Sequence, residues 1–328
     1  MRSESVISII IPVHNTALYL HRCVESVRNQ TLKEIEIILV ENLSSDESPQ
    51  MCDEYAQKDS RVKVLHLDEA GLSIARNAGI DVASAPYIGF VDSDDYVESN
   101  MFEDMLAAIE KYQADVAYCN FFYEYEDGRI EQLYPNSGKI SVRSSKDVQR
   151  DIILERVSSS SWTKLFKREM LESNRFPKGM YFEDHATLYR WLNSSEKIVW
   201  LDTSYYHYMQ RDNSICHTLD PIKLYHYFLA EYPRLEFVKE QALFDGQELY
   251  DTINLIVSNC FRHFNAFMSH PQYSAYKIYA KDMRGKMRNW LNIPKEELTP
   301  KYYKRLRKIA YFWPIYFWTH FSKRKVSV

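Results

Sequence analysis

Three carboxylates within four positions follow a short apolar run and form the clearest chemical signal in the sequence. The run, residues 87–91, consists mainly of β-branched and aromatic side chains and has no helical period, so it predicts a buried strand. The residues that follow it are Asp92, Ser93, Asp94 and Asp95. A strand cannot carry unpaired carboxylates into a core, so we expect them at its carboxyl end, where open parallel sheets bind ligands.

Clustered carboxylates repel one another unless a cation or an array of donors holds them together. Carboxylate oxygens suit a hard divalent ion such as Mg²⁺ or Mn²⁺, so the group is typical of a metal site. The alternative is an acidic turn that caps a helix beginning near Val97, because Asp and Ser are favoured N-cap residues. The acids alone leave both interpretations open.

The elements that must position these acids alternate between strand and helix over about the first hundred residues. Runs rich in β-branched side chains predict strands at residues 6–13, 35–40, 62–67 and 87–91, with helices between them. Alternation at this spacing predicts a doubly wound α/β fold with a parallel sheet.

Neither glycine-rich phosphate-binding motif is present. No GxGxxG follows the first strand, no GxxxxGK[ST] occurs, and the chain has only eight glycines. A nucleotide would therefore be held by residues at the ends of the predicted strands. Those candidates are Pro12, Val13, Asn15, Glu41, Asn42, Arg76 and the acids from Asp92 to Asp95.

Beyond residue 95 the pattern is less regular. We expect a helix at 98–112, a strand at 114–121 and a hairpin that turns at residues 127–128. From residue 144 the pattern becomes helical, and one helix is expected to begin at 162–167 and another at residue 182. Short strands are expected at 197–201 and 205–209. From residue 220 the turn signals predict about four helices.

Composition and charge restrict the class of protein. The 328 residues are 45% hydrophobic and 26% charged, which is typical of a globular chain of one large or two ordinary domains. The five cysteines are scattered and form no CxxC pair, which argues against a disulfide framework or a zinc site and favours a cytoplasmic location. No signal peptide and no apolar run of about 20 residues is found, so we expect a soluble or peripheral protein.

The net charge of −4 conceals a basic end. Residues 281–328 hold 13 Lys and Arg against 3 Asp and Glu, and an apolar aromatic run at 309–318 lies between groups of cations. This pattern favours a helix in a membrane interface over residues 304–328, and the alternative is a helix packed on a partner subunit of a homo-oligomer. Nucleic-acid binding is disfavoured, because the aromatic residues are not interleaved with the cations.

Six stretches taken together resemble family 2 glycosyltransferases of the GT-A fold. They are residues 8–15, 71–79, 90–95, 162–166, 183–184 and 210–215, in the order and spacing seen in that family. The resemblance spans roughly residues 5–217. It implies an α/β GT-A domain, a Rossmann-like doubly wound mixed sheet, over 1–217, followed by an α-helical C-terminal region over 218–328.

The family transfers a sugar from a nucleotide diphosphate to an acceptor hydroxyl, usually with inversion. The resemblance implies that Asp184 is the general base, with Glu183 as its neighbour, and that Arg211 lies in a mobile loop over the donor. Outside the family, Asp184 would be interpreted as a helix cap. The donor-binding residues that it implies are Pro12, Val13, Asn15, Glu41, Asn42, Arg76, Asp92, Ser93, Asp95 and Ser214.

The resemblance to the family also implies a bound metal ion. Asp94, the second acid of the DxD motif, would bind Mn²⁺ or Mg²⁺ together with Asp92. His217 is the preferred third ligand among His185, His207 and His217, because of the loop that it follows. An ion across the diphosphate would neutralise the charge that develops as the glycosidic bond breaks.

One departure from the family pattern concerns the nucleotide base. The family usually has two acids and a glycine after the second strand, where this chain has Glu41, Asn42 and Leu43. Asn42 can still accept a hydrogen bond through its amide oxygen, but it carries no charge. We expect UDP as the nucleotide. Because Asn42 stands where the family usually has an acid, this departure affects the predicted preference for the base.

Two other functions compete with this one. Phosphatases of the haloacid-dehalogenase type also carry a DxD after an apolar strand, but there the acids end the first strand and Thr or Val stands where this chain has Tyr96. A non-catalytic glycan-binding or scaffold protein on the same fold is the second alternative. We expect a glycosyltransferase that extends a surface polysaccharide or a glycoprotein glycan, with a lipid-linked or protein-linked acceptor, on the inner face of the membrane.

Overall fold

The computed structural model describes residues 5–132, 136–211 and 220–321. Contacts within the chain divide it into two compact units. The first consists of Met1–Gln149 and Ser158–Ser214, and the second of Arg150–Val157 and Ile215–Val328.

The first unit is built on a mixed sheet that has ten strands among the described residues. These strands are β1 (Ile7–Val13), β2 (Ile35–Asn42), β3 (Val62–Leu67), β4 (Tyr87–Phe90), β5 (Tyr96–Val97), β6 (Val116–Tyr125), β7 (Ile130–Glu131), β8 (Ile140–Ser144), β9 (Lys164–Lys167) and β10 (Lys197–Gln210). The main order is β3-β2-β1-β4-β9-β6-β10-β5, with β7 on β6 and β8 on β10. Strands β1 to β4 are parallel, whereas β9 is antiparallel to both of its neighbours.

Helices accompany this sheet in βαβ order. They are α1 (Ala17–Arg28), α2 (Ser48–Lys58), α3 (Leu72–Val82), α4 (Met101–Tyr112), α5 (Ser145–Ile153), α6 (Arg168–Glu172) and α7 (Glu183–Trp191). Every residue of β1 and β2 is buried, as expected for central parallel strands covered on both faces. The expected α/β fold with strands near residues 7, 35, 62 and 87 is confirmed.

Close packing places α3 against β1. A Cβ atom at Gly79 would lie 2.4 Å from Cγ2 of Ile10, so only glycine allows this approach. The helix also carries Arg76, whose side chain is buried. The glycine therefore fixes how closely Arg76 lies to the end of the sheet.

Two expectations for the later elements are wrong. Residues 164–167 form strand β9, not the start of a helix, because the sheet buries this segment between β4 and β6. Residues 197–209 form one long strand, β10, where two short strands were expected. Its pairing with β6 is irregular between Leu201 and Tyr206, and this irregularity explains the apparent break.

The second unit is helical, in agreement with the expected C-terminal region. Its helices are α8 (Pro221–Glu231), α9 (Arg234–Glu240), α10 (Gly246–Ser269), α11 (Lys277–Asn289), α12 (Pro300–Tyr311) and α13 (Trp313–Phe321). From residue 220 the described residues thus form six α-helices, more than the four or so expected there.

The apolar run near the C-terminus does not form one continuous helix. It breaks at Phe312, between α12 and α13. Ile309 and Tyr316 are buried within the unit, whereas Tyr311, Phe312 and Ile315 are each more than half exposed. Among the described helices, none has the length and apolar character needed to cross a membrane.

Candidate functional site

The acidic group lies where the parallel strands end. Val91 continues from β4, and its backbone N–H donates to the carbonyl of Ile10 at 3.0 Å. Strand β1 also pairs with β2 up to Val13 and Glu41. The loops that follow these three strands therefore share one edge of the sheet, as expected from their order.

The ends of β1 and β2 are joined by a polar network around Asn42, which is buried. Its backbone carbonyl accepts from Nδ1 of His14 at 2.6 Å, and its side-chain Oδ1 accepts from the N–H of Gly71 at 3.2 Å. Nε2 of His14 in turn accepts from Nδ2 of Asn15 at 3.1 Å. Asn42 and Asn15 are thus brought together as predicted, and the amide oxygen of Asn42 already has one donor.

Glu41 faces a different set of groups. It is 4% exposed, and its carboxylate accepts from the backbone N–H of Ser44 at 2.6 Å and lies 3.4 Å from Nδ1 of His66. The contact with Asp53, followed by the contact with Glu41, raises the pKa of His66. Glu41 therefore holds the turn that follows β2.

Arg76 connects the two acidic groups that were predicted from separate parts of the sequence. Its guanidinium is 1% exposed and forms ion pairs with Asp92, at 2.7 Å, and with Glu183. Burial opposes the charge of Arg76, but the two carboxylates raise its pKa above the ordinary value. Burial raises the pKa of Glu183, although Arg76 opposes this shift. Positions 92 and 183 are thereby fixed to one central cation.

Asp95 is held by strand β10. Its carboxylate is 1% exposed and accepts from Oη of Tyr206 at 2.7 Å and from the N–H of Met209 at 2.8 Å. Oη of Tyr206 also accepts from the N–H of Asp92 at 3.0 Å. Burial raises the pKa of both Asp95 and Tyr206, and the acids nearby add to each shift. Tyr206 therefore holds the acidic loop at two places, the backbone of Asp92 and the side chain of Asp95.

Asp94 and Ser93 face other partners. Asp94 forms an ion pair with Arg211, whose guanidinium also lies 5.0 Å from the ring of Tyr19. Burial raises the pKa of Asp94, although Arg211 opposes this shift. Ser93 is buried and its Oγ accepts from Oγ1 of Thr16 at 2.9 Å. The side chains of Asp94 and Asp92 are 18% and 24% exposed, so both can be reached by a ligand.

Asp184 is half-buried in the first turn of α7, next to Glu183. Its Oδ1 accepts from the N–H of His185 at 2.7 Å, so it also stabilises the start of the helix. Its negative charge acts on Arg76 and on the buried ammonium of Lys164. The side of the site next to α7 thus contains two acids and two cations, namely Glu183, Asp184, Arg76 and Lys164.

Most of the predicted residues are placed by the structure at this edge of the sheet. Pro12 and Val13 are buried at the end of β1. Ser214 and His217 lie outside the described residues. Within the parts of the chain that the structure describes, no group of three or more His, Cys, Asp or Glu side chains could hold a metal ion. Of the three acids in the loop, Asp92 and Asp94 keep part of their side chains exposed, whereas Asp95 is buried.

Sequence reasoning missed three residues that organise the site: Thr16, Tyr206 and Lys164. Thr16 and Tyr206 obtain their roles from partners 77 and 111 positions away, and no spacing rule signals such contacts. Lys164 bonds the turn just before it, and no periodic pattern signals that its ammonium is buried there. Among the weaker candidates, His207 lies between Glu98 and Glu124, at 2.9 and 3.1 Å. Trp162 packs on the ring of Tyr206 at 4.2 Å within the core.

The chain is similar to known proteins in sequence and in fold. The model of glycosyl transferase family 2 matches residues 8–175. The glycosyltransferase GlyG of Streptococcus pneumoniae is 36% identical over 224 residues, 66% of this chain and 74% of GlyG. The minor teichoic acid biosynthesis protein GgaB of Bacillus subtilis is 30% identical over 210 residues, 63% of this chain and 23% of GgaB.

Solved structures share the fold. The crystal structure of a fragment of S. aureus TarS in complex with UDP-GlcNAc has a TM-score of 0.69 at 18% identity, and the match covers 94% of this chain and 92% of that one. The family match spans half of the chain and includes the acidic loop, β1 and α3. The chain belongs to glycosyl transferase family 2 and is a glycosyltransferase.

Proposed function

We propose that the protein is a metal-dependent, inverting glycosyltransferase that uses a UDP-linked sugar. Residues 1–217 would form the catalytic domain and 218–328 a helical region. The observation that carries the proposal is the position of Arg76 between Asp92, on the donor side, and Glu183, next to Asp184. One buried cation thus ties the donor loop to Glu183, the neighbour of the residue that would act as the base.

The donor would lie along the edge formed by the ends of β1, β2 and β4. Pro12, Val13 and Asn15 would line the nucleotide pocket, and Asn42 would face the base. UDP is supported by the TarS fragment, which was solved with UDP-GlcNAc. Ser93, Asp95 and Glu41 hold the surrounding loops, and Ser214 would contact the donor.

The diphosphate side needs positive charge, because the leaving group gains negative charge as the glycosidic bond breaks. Asp92 and Asp94 would hold Mn²⁺ or Mg²⁺, and their two partly exposed carboxylates are a donor set that such ions accept. His217 would be a further ligand. A bound ion would supply charge neutralisation of the diphosphate. Arg211 carries a permanent forked donor that can turn from Asp94 to a phosphate oxygen.

Asp184 would take the proton of the acceptor hydroxyl while that oxygen attacks the anomeric carbon opposite the leaving group. Its partial exposure allows contact with an acceptor, whereas Glu183 is 4% exposed and bound to Arg76. Of the two adjacent acids, Asp184 is therefore the better candidate for the base. Glu183 would keep Arg76 in place.

The acceptor would be a hydroxyl of a growing surface polysaccharide or a glycoprotein glycan, carried by a lipid or a protein. The relationship to GgaB, a teichoic acid biosynthesis protein, supports the polysaccharide. No role in nucleic-acid binding is proposed. We place the enzyme in the cytoplasm, on the inner face of the membrane.

Membrane contact would use the exposed residues at the junction of α12 and α13. Tyr311, Phe312 and Ile315 are 59%, 52% and 60% exposed, and the exposed cation Arg307 lies on the preceding turns. Deletion of residues 304–328 would test this membrane contact, but it would also remove the buried Ile309 and Tyr316. Point substitutions of the exposed residues are therefore the cleaner test.

Phe312→Glu with Ile315→Glu should reduce binding to vesicles of anionic phosphatidylglycerol. The matched control is Ile278→Glu, because Ile278 is also an exposed apolar residue of this unit, at 74% exposure. Equal binding of all three proteins would contradict membrane attachment. Dissociation of an oligomer in the double variant would instead support a partner subunit at this surface.

The central test combines binding with catalysis. Titration calorimetry with UDP, GDP, CDP and dTDP, with and without Mn²⁺, should give metal-dependent binding of UDP. Asp184→Asn should retain that binding and lose sugar transfer by at least about a thousandfold, the scale expected for a general base. Retention of most activity by Asp184→Asn would contradict the assignment of the base, and binding of no nucleotide would contradict the donor site.

A further inference from the structure

The ammonium group of Lys164 is buried without a carboxylate at hydrogen-bond distance among its described contacts. The residue is 1% exposed, and its Nζ donates to the carbonyls of Ser158 and Ser160 at 2.8 and 2.7 Å and to Oγ1 of Thr163 at 3.1 Å. Three acceptors thus face the three protons of one ammonium. A buried charge is costly, so this arrangement calls for an explanation.

The acceptors belong to one turn, residues 158–163, which we call the serine turn. Ser160 is fixed within it, because its N–H donates to Oγ of Ser158 at 3.1 Å and its Oγ lies 3.3 Å from Oγ1 of Thr163. Lys164 itself donates its N–H to the carbonyl of Ser161 at 3.1 Å. The ammonium therefore closes the turn that immediately precedes β9.

The serine turn reaches the side of the site that holds the proposed base. Oγ of Ser159 shares a hydrogen bond of 3.0 Å with Nδ1 of His185, the residue directly after Asp184. Burial lowers the pKa of Lys164 to about 7, and the charge of Asp184 opposes this shift. At the other end of the turn, Trp162 packs on Tyr206, which holds the acidic loop. The turn thus runs from the donor loop to α7.

We propose that the serine turn and His185 form the subsite for the acceptor hydroxyl, and that Lys164 is the positioning residue that holds this subsite in place. The ligand class is a sugar hydroxyl of the acceptor glycan. This inference rests on the proposed function, because it takes Asp184 as the base that receives the hydroxyl proton.

The chemistry of the groups supports this assignment. Ser159 and His185 are both half-buried and can each donate or accept a hydrogen bond, which is what a sugar hydroxyl needs next to a base. The ammonium of Lys164 offers one N–H donor to each of the three acceptors of the turn. Without it, the carbonyls of Ser158 and Ser160 would lose their shared donor, and Ser159 would no longer be held against His185.

Lys164→Met tests the positioning role, because methionine has a similar length without charge or donors. The matched control is Lys167→Met in the same strand, where the lysine is one-third exposed and bonds Asp115 at 2.6 Å. Three quantities are measured: transfer from UDP-GlcNAc to a panel of aryl mono- and disaccharides, hydrolysis of UDP-GlcNAc without acceptor, and binding of UDP with Mn²⁺.

We expect Lys164→Met to lower transfer at least twentyfold while hydrolysis and UDP affinity stay within about threefold of the wild type. Lys167→Met should leave all three unchanged. A parallel loss of transfer and hydrolysis, or no loss of transfer, would overturn the inference. A wild-type protein that neither binds UDP nor cleaves the donor would contradict the proposed function as well, so the two failures are distinguishable.

A second pair of variants covers the case in which Lys164→Met does not fold. Ser159→Ala removes the bond to His185. Ser195→Ala is its control, because Ser195 lies outside the serine turn and its Oγ is buried with no hydrogen-bond partner among the described residues. Ser159→Ala should raise the KM for the acceptor about tenfold with little change in the KM for UDP-GlcNAc. Equal kinetics for the two variants would overturn the subsite.

Discussion

The guanidinium of Arg211 forms an ion pair with the carboxylate of Asp94, which precedes it by 117 positions in the chain. Both side chains are partly exposed, so the pair lies at the open side of the site. Asp94 is also the proposed ligand of the metal ion. An ion and Arg211 would therefore compete for the same carboxylate.

Substitution Arg211→Ala should raise the affinity for Mn²⁺ in the absence of donor and should lower sugar transfer. The expected gain is about threefold to tenfold, because a partly exposed ion pair contributes on the order of 1 kcal/mol. Titration calorimetry measures it. Arg129→Ala is the control, since Arg129 is 55% exposed and pairs with Glu131 away from the acidic loop. Weaker Mn²⁺ binding in Arg211→Ala would show that the two do not compete.

Substitutions of the adjacent acids Glu183 and Asp184 should have different effects on the stability of the protein. Glu183→Gln leaves the buried guanidinium of Arg76 with one charged partner instead of two, and should lower the free energy of unfolding by about 2–4 kcal/mol. Asp184→Asn should cost less than about 1 kcal/mol, because Asp184 is half-buried, supports a helix terminus and forms no ion pair with Arg76 or Lys164 among the described residues. Urea unfolding measures both. Equal losses would contradict the role of Glu183 as the partner of Arg76.

Asn42 should influence the choice of nucleotide base. Its Oδ1 accepts from Gly71, and Asn42→Asp would add a charged second oxygen that can accept the imide proton of uracil. The affinity for UDP should rise about tenfold, corresponding to ~1.4 kcal/mol, whereas CDP should gain less, because cytosine presents a lone pair where uracil carries that proton. Asn100→Asp, on an exposed helix terminus, is the control for added charge. Equal gains for UDP and CDP would argue against contact with the base.

Glu36 should make stability depend on acid pH. Its buried carboxylate receives hydrogen bonds from Ser8, from Ser84 and from Lys63. Although burial opposes ionisation, these bonds lower the pKa of Glu36 from 4.5 to about 2. Because the folded pKa is the lower one, the stabilisation is present above pH 4.5 and is lost as the pH falls towards 2.

Glu36→Gln should therefore cost about 3 kcal/mol at pH 7, and the difference from the wild type should shrink below pH 4.5. Urea unfolding at pH 7, 5, 4 and 3 follows this change. Glu34→Gln is the matched control, because Glu34 is an exposed acid two positions earlier. A difference that stays constant over this range would contradict the assignment to Glu36.

The sequence was sufficient to predict the elements that have a strong local pattern. The β-branched runs at 7–13 and 35–42 form central strands, and the acids from residue 92 lie at the end of β4, as expected. The same reasoning failed at 164–167, where a helix was expected and a strand is found. That segment becomes a strand because β4 and β6 supply hydrogen-bond partners on both sides, which no local pattern records.

What the sequence by itself determined about this protein is its family, its fold class and the chemical types of the residues at the site. These follow from hydrophobic periodicity and from motifs that lie close together in the chain. The tertiary structure alone decided the partners: Arg76 with Glu183 across 107 positions, Arg211 with Asp94 across 117, and Ser159 of the serine turn with His185 of α7 across 26. Such contacts depend on where the sheet brings distant segments together, and therefore on packing of the whole unit.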